Sequence, residues 1–380
     1  MTKYELPIST SYVPNWGVVE AVREIFQNAV DNEIENPENK MSWDFDGNTL
    51  TISNKTSLLE ARSLLLGESS KRDNKDTIGQ HGEGYKIAFM VLLRNNKKIK
   101  VYNYGAREVW DVRLVKSKRY CGELLTTVFV DKQAVWKKVP NYDLSIEIEG
   151  ITENEFDDIV SKNLILQKMI VPENFTEDRI FYGNRGNNIL LSESESGNIY
   201  VKGLFVCKNE KLKYGYDFLP SIITLDRDRR LVDTFYLFWE ASALWQEAVA
   251  RGKKEFKDKF MELYNNKSGD VQYVKDMSAY INPVADLVAE SFYSENGDDA
   301  IPVTSNTEYE IIKKNGAGTP VIVSEEHKKL LGYSRFVNTV EVVEQITIQD
   351  KLRDWLDRIV DKYELESDDI DEFNSLINEI

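Results

Sequence analysis

Apolar residues Val18, Val22, Ile25, Phe26, Ala29 and Val30 recur at helical spacing between Trp16 and Glu33, which predicts an amphipathic helix with one core face. The pair Asn36-Pro37 ends it. The segment WDFDGNTLTISN alternates apolar and polar positions about Asp46-Gly47, so a hairpin is expected whose second strand runs to Asn54. Residues 55–78 combine a helical stretch, SLLEARSLLLG, with the polar run ESSKRDNKD, and are expected to be a helix followed by a mobile loop. A glycine turn, IGQHGEGYK, then opens the apolar helix IAFMVLLR. Strands are expected at KIKVYNYG, REVWDVRLV, TTVFV and DLSIEIEG.

This order predicts an α+β fold whose first domain, residues 1–170, is an α/β sandwich with a mixed sheet on one side and helices on the other. A second, smaller α/β domain is expected over 171–295, with strands at NNILLSE and NIYVKGLFVC. The Asp-Arg segment LDRDRRLVD leads there into one long helix running from TFYLFWEASALW to KFMELY. A mainly helical C-terminal region, 296–380, carries an acidic helical tail. No internal repeat of fixed period is present.

Composition narrows the function classes. With 64 acidic and 48 basic residues among 380, the formal charge of -16 opposes long-range attraction to nucleic acid. Cys121 and Cys207 are far apart in sequence, without the spacing of a zinc site or a disulfide framework, which fits a reducing, cytoplasmic setting. No run approaches the roughly 18 to 20 apolar residues of a membrane span, and MTKYELPIST lacks the order of a signal peptide.

Two constellations carry the candidate chemistry. Glu24, Asn28 and Asp31 fall on one helix face, opposite Val18, Val22 and Ile25. A carboxylate at Glu24 can take a proton from water attacking a phosphoryl group, and the amide oxygen of Asn28 suits Mg²⁺ and its phosphate neighbourhood. Asp31 can orient Asn28 or a metal-bound water. The same spacing also arises on a solvated helix face. The second constellation is Gly79, Gln80, His81, Gly82, Glu83, Gly84, Tyr85 and Lys86, where glycines allow close backbone approach and the amides of a helix start face an anion. Lys86 can neutralise phosphate charge or simply face solvent. The turn is neither a Walker loop nor a dinucleotide fingerprint.

Together, EIFQNAVD and IGQHGEGYKIAF resemble the N box and second glycine box of the GHKL ATPases: gyrase, the heat-shock chaperones, MutL-type repair proteins and histidine kinases. The resemblance implies a Bergerat-type ATPase domain that binds ATP and Mg²⁺. Glu24 then matches the general base, Asn28 the Mg²⁺ ligand, and Gly79, Gly82 and Gly84 the phosphate loop. A histidine-kinase role fits poorly, because no phosphoacceptor domain precedes the boxes. One departure is plain. Where the family has Asp-x-Gly-x-Gly, this chain has Ser53-Asn54-Lys55-Thr56-Ser57, so Asn54 stands in place of the adenine-reading aspartate. Ser69, Ser70, Lys71 and Arg72 are lid candidates, and Thr127, with Thr126 as its competitor, matches the family threonine near the base.

The resemblance extends to a transducer-like second domain, closest to the chaperone and MutL branch, that lends a basic residue to the γ-phosphate. Ile223-Thr224-Leu225-Asp226-Arg227 nominates Arg227, with Arg229, Arg230 and Lys202 as competitors; surface ion pairs within the Asp-Arg run are the alternative. The implied activity is ATP hydrolysis coupled to lid closure and homodimerisation, acting on a protein client. A nucleotide-gated binding module with little hydrolysis is the second reading, and a DNA-handling relative of the topoisomerase and repair branches the third. The pairing of this core with an unfamiliar C-terminal part matches the style of phage and mobile-element proteins, which brings a role in phage infection or defence within the expectations. Tyr236, Phe238, Trp239 and Trp245 are aromatic enough for a nucleic-acid platform, but their helical spacing predicts core.

Overall fold

The computed structural model describes residues 1–64, 84–132, 143–223, 234–276, 279–337, 348–363 and 367–379. The chain divides into two compact units, Met1–Ala279 and Tyr280–Ile380. The fold is α+β.

In the first unit, β1 (Thr2–Ser9), α1 (Val18–Glu35), β2 (Met41–Phe45), β3 (Thr49–Asn54), α2 (Gly84–Arg94), β4 (Lys98–Asn103), β5 (Glu108–Lys116), β6 (Leu124–Lys132) and β7 (Leu144–Glu149) form its first layer pair. The strands make a seven-stranded sheet in the order β1-β6-β5-β4-β7-β3-β2, and every described pairing is antiparallel. The mixed sheet expected from sequence is therefore corrected. β7 inserts between β3 and β4, so those two strands, joined through α2 and parallel to one another, never pair.

Local chemistry accounts for the hairpin at residues 45–50. Gly47 takes φ +93°, and the Asp46 carboxylate accepts the amides of Asn48 and Thr49 at 3.0 and 2.7 Å. Helices α1 and α2 lie together on one sheet face, where Ile25, Phe26, Phe89 and Met90 are fully buried with Leu50, Val101, Trp110 and Ile148. Of the helix expected in SLLEARSLLLG, the described part is a single 3-10 turn, Ala61–Leu64.

α3 (Glu153–Ser161) and α4 (Leu164–Ile170) lead to a second sheet of β8 (Ile180–Tyr182), β9 (Asn188–Leu190), β10 (Asn198–Val201), β11 (Leu204–Lys208) and β12 (Gly215–Phe218), ordered β11-β10-β12-β9-β8. The segment NIYVKGLFVC is a hairpin rather than one strand. Lys202 and Gly203 take φ +50° and +77°, the left-handed pair that a two-residue turn requires. Asp217 Oδ1 accepts the Gly203 amide at 2.7 Å and so fixes that turn.

The long helix expected after residue 234 is two helices, α5 (Thr234–Ala250) and α6 (Lys254–Asn265), broken where Gly252 takes φ +79°. The aromatic expectation splits: Trp245 and Phe238 are core, whereas Tyr236 is 54% exposed. Trp245 Nε1 donates to the Tyr216 hydroxyl, which donates to the buried Asp270 carboxylate; Asp270 also accepts the amides of Lys213 and Tyr214. This chain ties α5 to the second sheet through groups that are all satisfied.

The second unit contains α7 (Ile281–Asn296), β13 (Ala300–Val303), α8 (Asn306–Asn315), β14 (Thr319–Ile322), α9 (Glu325–Leu331), α10 (Ile348–Tyr363) and α11 (Ser367–Glu379). β13 and β14 pair in parallel, an element that was not expected in a mainly helical region. Among the described residues no helix is long and apolar enough to cross a membrane.

Two predictions follow from these contacts. Arg94, at the end of α2, donates to the carbonyls of Thr10, Tyr12, Val13 and Trp16 at 2.6 to 3.2 Å, so Arg94→Met should cost about 2–4 kcal/mol, read as a lower urea midpoint. Burial pushes the Asp217 carboxyl up to about 6, against the pull of the Gly203 amide and Lys202. A raised carboxyl pKa favours the fold at low pH and loses that contribution as pH rises through about 6. Asp217→Asn should accordingly flatten the stability change between pH 4 and 7 by about 2 kcal/mol, measured by denaturant titration at each pH.

Candidate functional site

α1 and α2 pack side by side because both carry an apolar stripe toward the sheet, and their contact edge holds the polar residues singled out from sequence. Glu24 is 1% and Asp31 0% exposed, which overturns the solvated-face alternative. Gly84 begins α2 directly over this face. A β-carbon at Gly84 would stand 3.0 Å from Asn28 Nδ2 and 3.1 Å from Glu24 Oε2, so only glycine fits without moving them. Two segments sixty residues apart are thereby brought into one place.

The next residues of α2 continue the contact. Burial and the adjacent Asp31 carboxylate push the Tyr85 phenol well above its ordinary value, keeping it neutral. Lys86 is 1% exposed, so the solvent-facing alternative for it is also overturned. Asn28 Nδ2 donates to the Glu24 carbonyl at 2.8 Å and is thereby oriented, leaving Oδ1 as its accepting atom. Arg23 flanks the base candidate. Its guanidinium donates to Glu24 Oε1 at 3.3 Å and to the Phe205 carbonyl of β11 at 3.5 Å, and lies 5.3 Å from the Trp16 ring centroid.

Asn54 is 3% exposed, and both of its amide hydrogens are committed, to the carbonyls of Ala29 at 2.8 Å and Asn39 at 2.9 Å. It clamps the middle of α1 to the loop beyond it. Only Oδ1 remains, an acceptor, which is the capacity a carboxylate would offer at this place. A polar network that the sequence reading missed surrounds it. Asn39 donates to Asn32 at 3.0 Å, Asn32 donates to Ser57 at 2.7 Å, and buried Asn103 brackets Leu59 by donating to its carbonyl at 2.6 Å. The density of asparagine in DNEIENPEN was the available signal, but asparagine pairs have no sequence period.

Residue parity separates the two threonines of β6. Thr126 shares the helix-covered face with Val128 and Val130, and its hydroxyl is buried without a partner among the described residues; Thr127 pairs across from Glu5 and Arg113 on the other face and donates to the Leu125 carbonyl at 3.3 Å. The face that carries Glu24 is thus the face of Thr126. Lys202 lines a groove with Val30, Glu33 and Ile34 of α1. Glu33 lies nine residues from Glu24, about half a turn around the helix, so Lys202 is not brought to the candidate site. Gly79, Gln80, His81, Gly82 and Glu83, the lid candidates at 69–72, and Arg227, Arg229 and Arg230 lie outside the described residues.

No family model matches the sequence, and no curated protein matches it. Among solved structures, the chain is similar to the ATPase region of Saccharomyces cerevisiae topoisomerase II bound to ICRF-187 (dexrazoxane), at 9% identity over 56% of this chain and 76% of that one, with a TM-score of 0.36. It is similar also to the same region in another structure, at 9% identity, the same coverage and a TM-score of 0.35.

The Asn54 geometry gives a sharp expectation. Asn54→Asp replaces two donors by an anion facing the Ala29 and Asn39 carbonyls. It should destabilise the chain by about 2–4 kcal/mol in urea denaturation; an unchanged midpoint would show that the two bonds carry no weight.

Proposed function

We propose that the first unit is a Mg²⁺-dependent ATP-binding module of GHKL type that hydrolyses its nucleotide. The observation that carries this reading is the approach of Gly84 to Glu24 and Asn28, because it sets a helix-start glycine against a buried base candidate and the Asn28 side-chain amide. The donor set suits the metal. Mg²⁺ characteristically takes one or two protein oxygens beside phosphate and water, and Asn28 Oδ1 offers one.

In this reading Asn28 Oδ1 is the protein ligand, held in place by its own amide bond to the Glu24 carbonyl. The bound Mg²⁺ supplies charge neutralisation at the phosphates. Glu24 takes the proton of the attacking water, and its burial on the α1 side excludes bulk solvent from that proton. Asp31 orients the polar cluster. Asn54 Oδ1 accepts a hydrogen bond from the base of the nucleotide, Gly79 and Gly82 belong to the phosphate loop, Lys86 supplies positive charge beside it, and Arg227 serves as the basic finger. Lid closure and homodimerisation on a protein client complete the proposed cycle, in the cytoplasm.

Calorimetric titration with ATP and Mg²⁺, run beside phosphate release, tests the reading. Glu24→Ala should retain ATP binding within about threefold and lose turnover by about 10²–10⁴-fold. Unchanged turnover would remove Glu24 from the base role, and absence of binding to the native chain would remove the nucleotide altogether.

A further inference from the structure

A groove of about 620 Å³ lies on the side of α1 away from Glu24, between that helix and the second sheet. Its walls are apolar: Val30 and Ile34 of α1, Leu164 and Ile165 of α4, Ile180 of β8 and Leu190 of β9. Met169 and Tyr182 stand at it 58% and 41% exposed. Two acids and two lysines also line it, and they differ in what they are free to do. Glu33 Oε2 accepts the Met41 amide at 2.9 Å, and Asp217 Oδ1 accepts the Gly203 amide at 2.7 Å. Lys168 and Lys202 make no hydrogen bond or close ion pair among the described residues, although Lys202 acts through space on the Asp217 carboxyl. One oxygen of each acid is thus taken up by the backbone, whereas the donors of both ammonium groups are unspent.

The position of Lys202 is unusual in itself. It occupies a φ of +50° in the β10–β11 turn, where asparagine, aspartate or glycine is favoured and a lysine carries a conformational cost. The turn is pinned by Asp217, so the lysine is held at the groove wall.

We propose that this groove binds a small amphipathic anion: an apolar chain or ring body within the groove and one carboxylate or phosphate head met by Lys202 and Lys168. The apolar lining supplies affinity by burial, and the two ammonium groups supply donors that an anionic head can accept and a cationic one cannot. This site stands apart from the nucleotide reading and does not depend on it.

Titration calorimetry of the full chain with dodecanoate, kept below its micellar concentration, tests the proposal, with dodecyl phosphate, dodecylammonium and dodecanol run in parallel. Saturable one-to-one binding of an anionic chain is expected, with dodecylammonium at least about tenfold weaker; the tighter of the carboxylate and phosphate forms names the head group. Lys202→Asn preserves the left-handed turn, because asparagine tolerates positive φ, and should weaken the anion about tenfold without lowering the thermal midpoint. Met169→Glu, a change at an exposed residue, should weaken it similarly, and Met169→Lys should not. No saturable binding, equal affinity for dodecylammonium, or indifference to both Lys202→Asn and Met169→Glu would each overturn the proposal.

Discussion

The first unit is organised by how closely two helices approach. α1 and α2 meet edge to edge over one sheet face, and at Gly84 the backbone comes near enough to Glu24 and Asn28 that a single methyl group would have to displace them. Such an approach needs both helices fixed independently. The sheet fixes them from below through Ile25, Phe26, Phe89 and Met90, while Arg94 gathers four carbonyls of the segment entering α1 and ties them to the end of α2.

Burying carboxylates at such an edge is costly, and the surroundings show how the cost is met. Glu24 has Arg23 beside it, and Asn28 spends its amide on the helix's own carbonyl. Asn54, Asn39, Asn32 and Ser57 form a relay that holds the far side of α1 to β3 and the loop between them. Neutral amides do here what charged groups would do at higher desolvation cost. Asparagine at position 54 is therefore a structural clamp that retains one accepting atom.

The second sheet is held by different means. Its strands are short, and the buried Trp245–Tyr216–Asp270 chain carries the connection to α5. Between this sheet and α1 the packing opens into the apolar groove, so one helix serves two environments: a polar edge toward α2 and an apolar face toward the second sheet.

Period and turn chemistry made much of this legible in advance. Helix α1, the Asp46-Gly47 hairpin, helix α2 and the strands β4 to β7 follow from local rules, because side-chain direction repeats every 3.6 or 2 residues and turns have few solutions; the edge strand β1 was missed. The gathering of Glu24, Asn28 and Asp31 on one face was equally local. What only tertiary structure decided was whether that face is wet or buried, which of two adjacent threonines shares it, that β7 enters between β3 and β4 so that every described pairing of the first sheet is antiparallel, and that Lys202 turns to a groove instead of the polar edge. Each of these depends on partners distant in sequence. A residue's own neighbours set its direction along a helix or strand, whereas burial and charge pairing belong to whatever the rest of the chain brings against it.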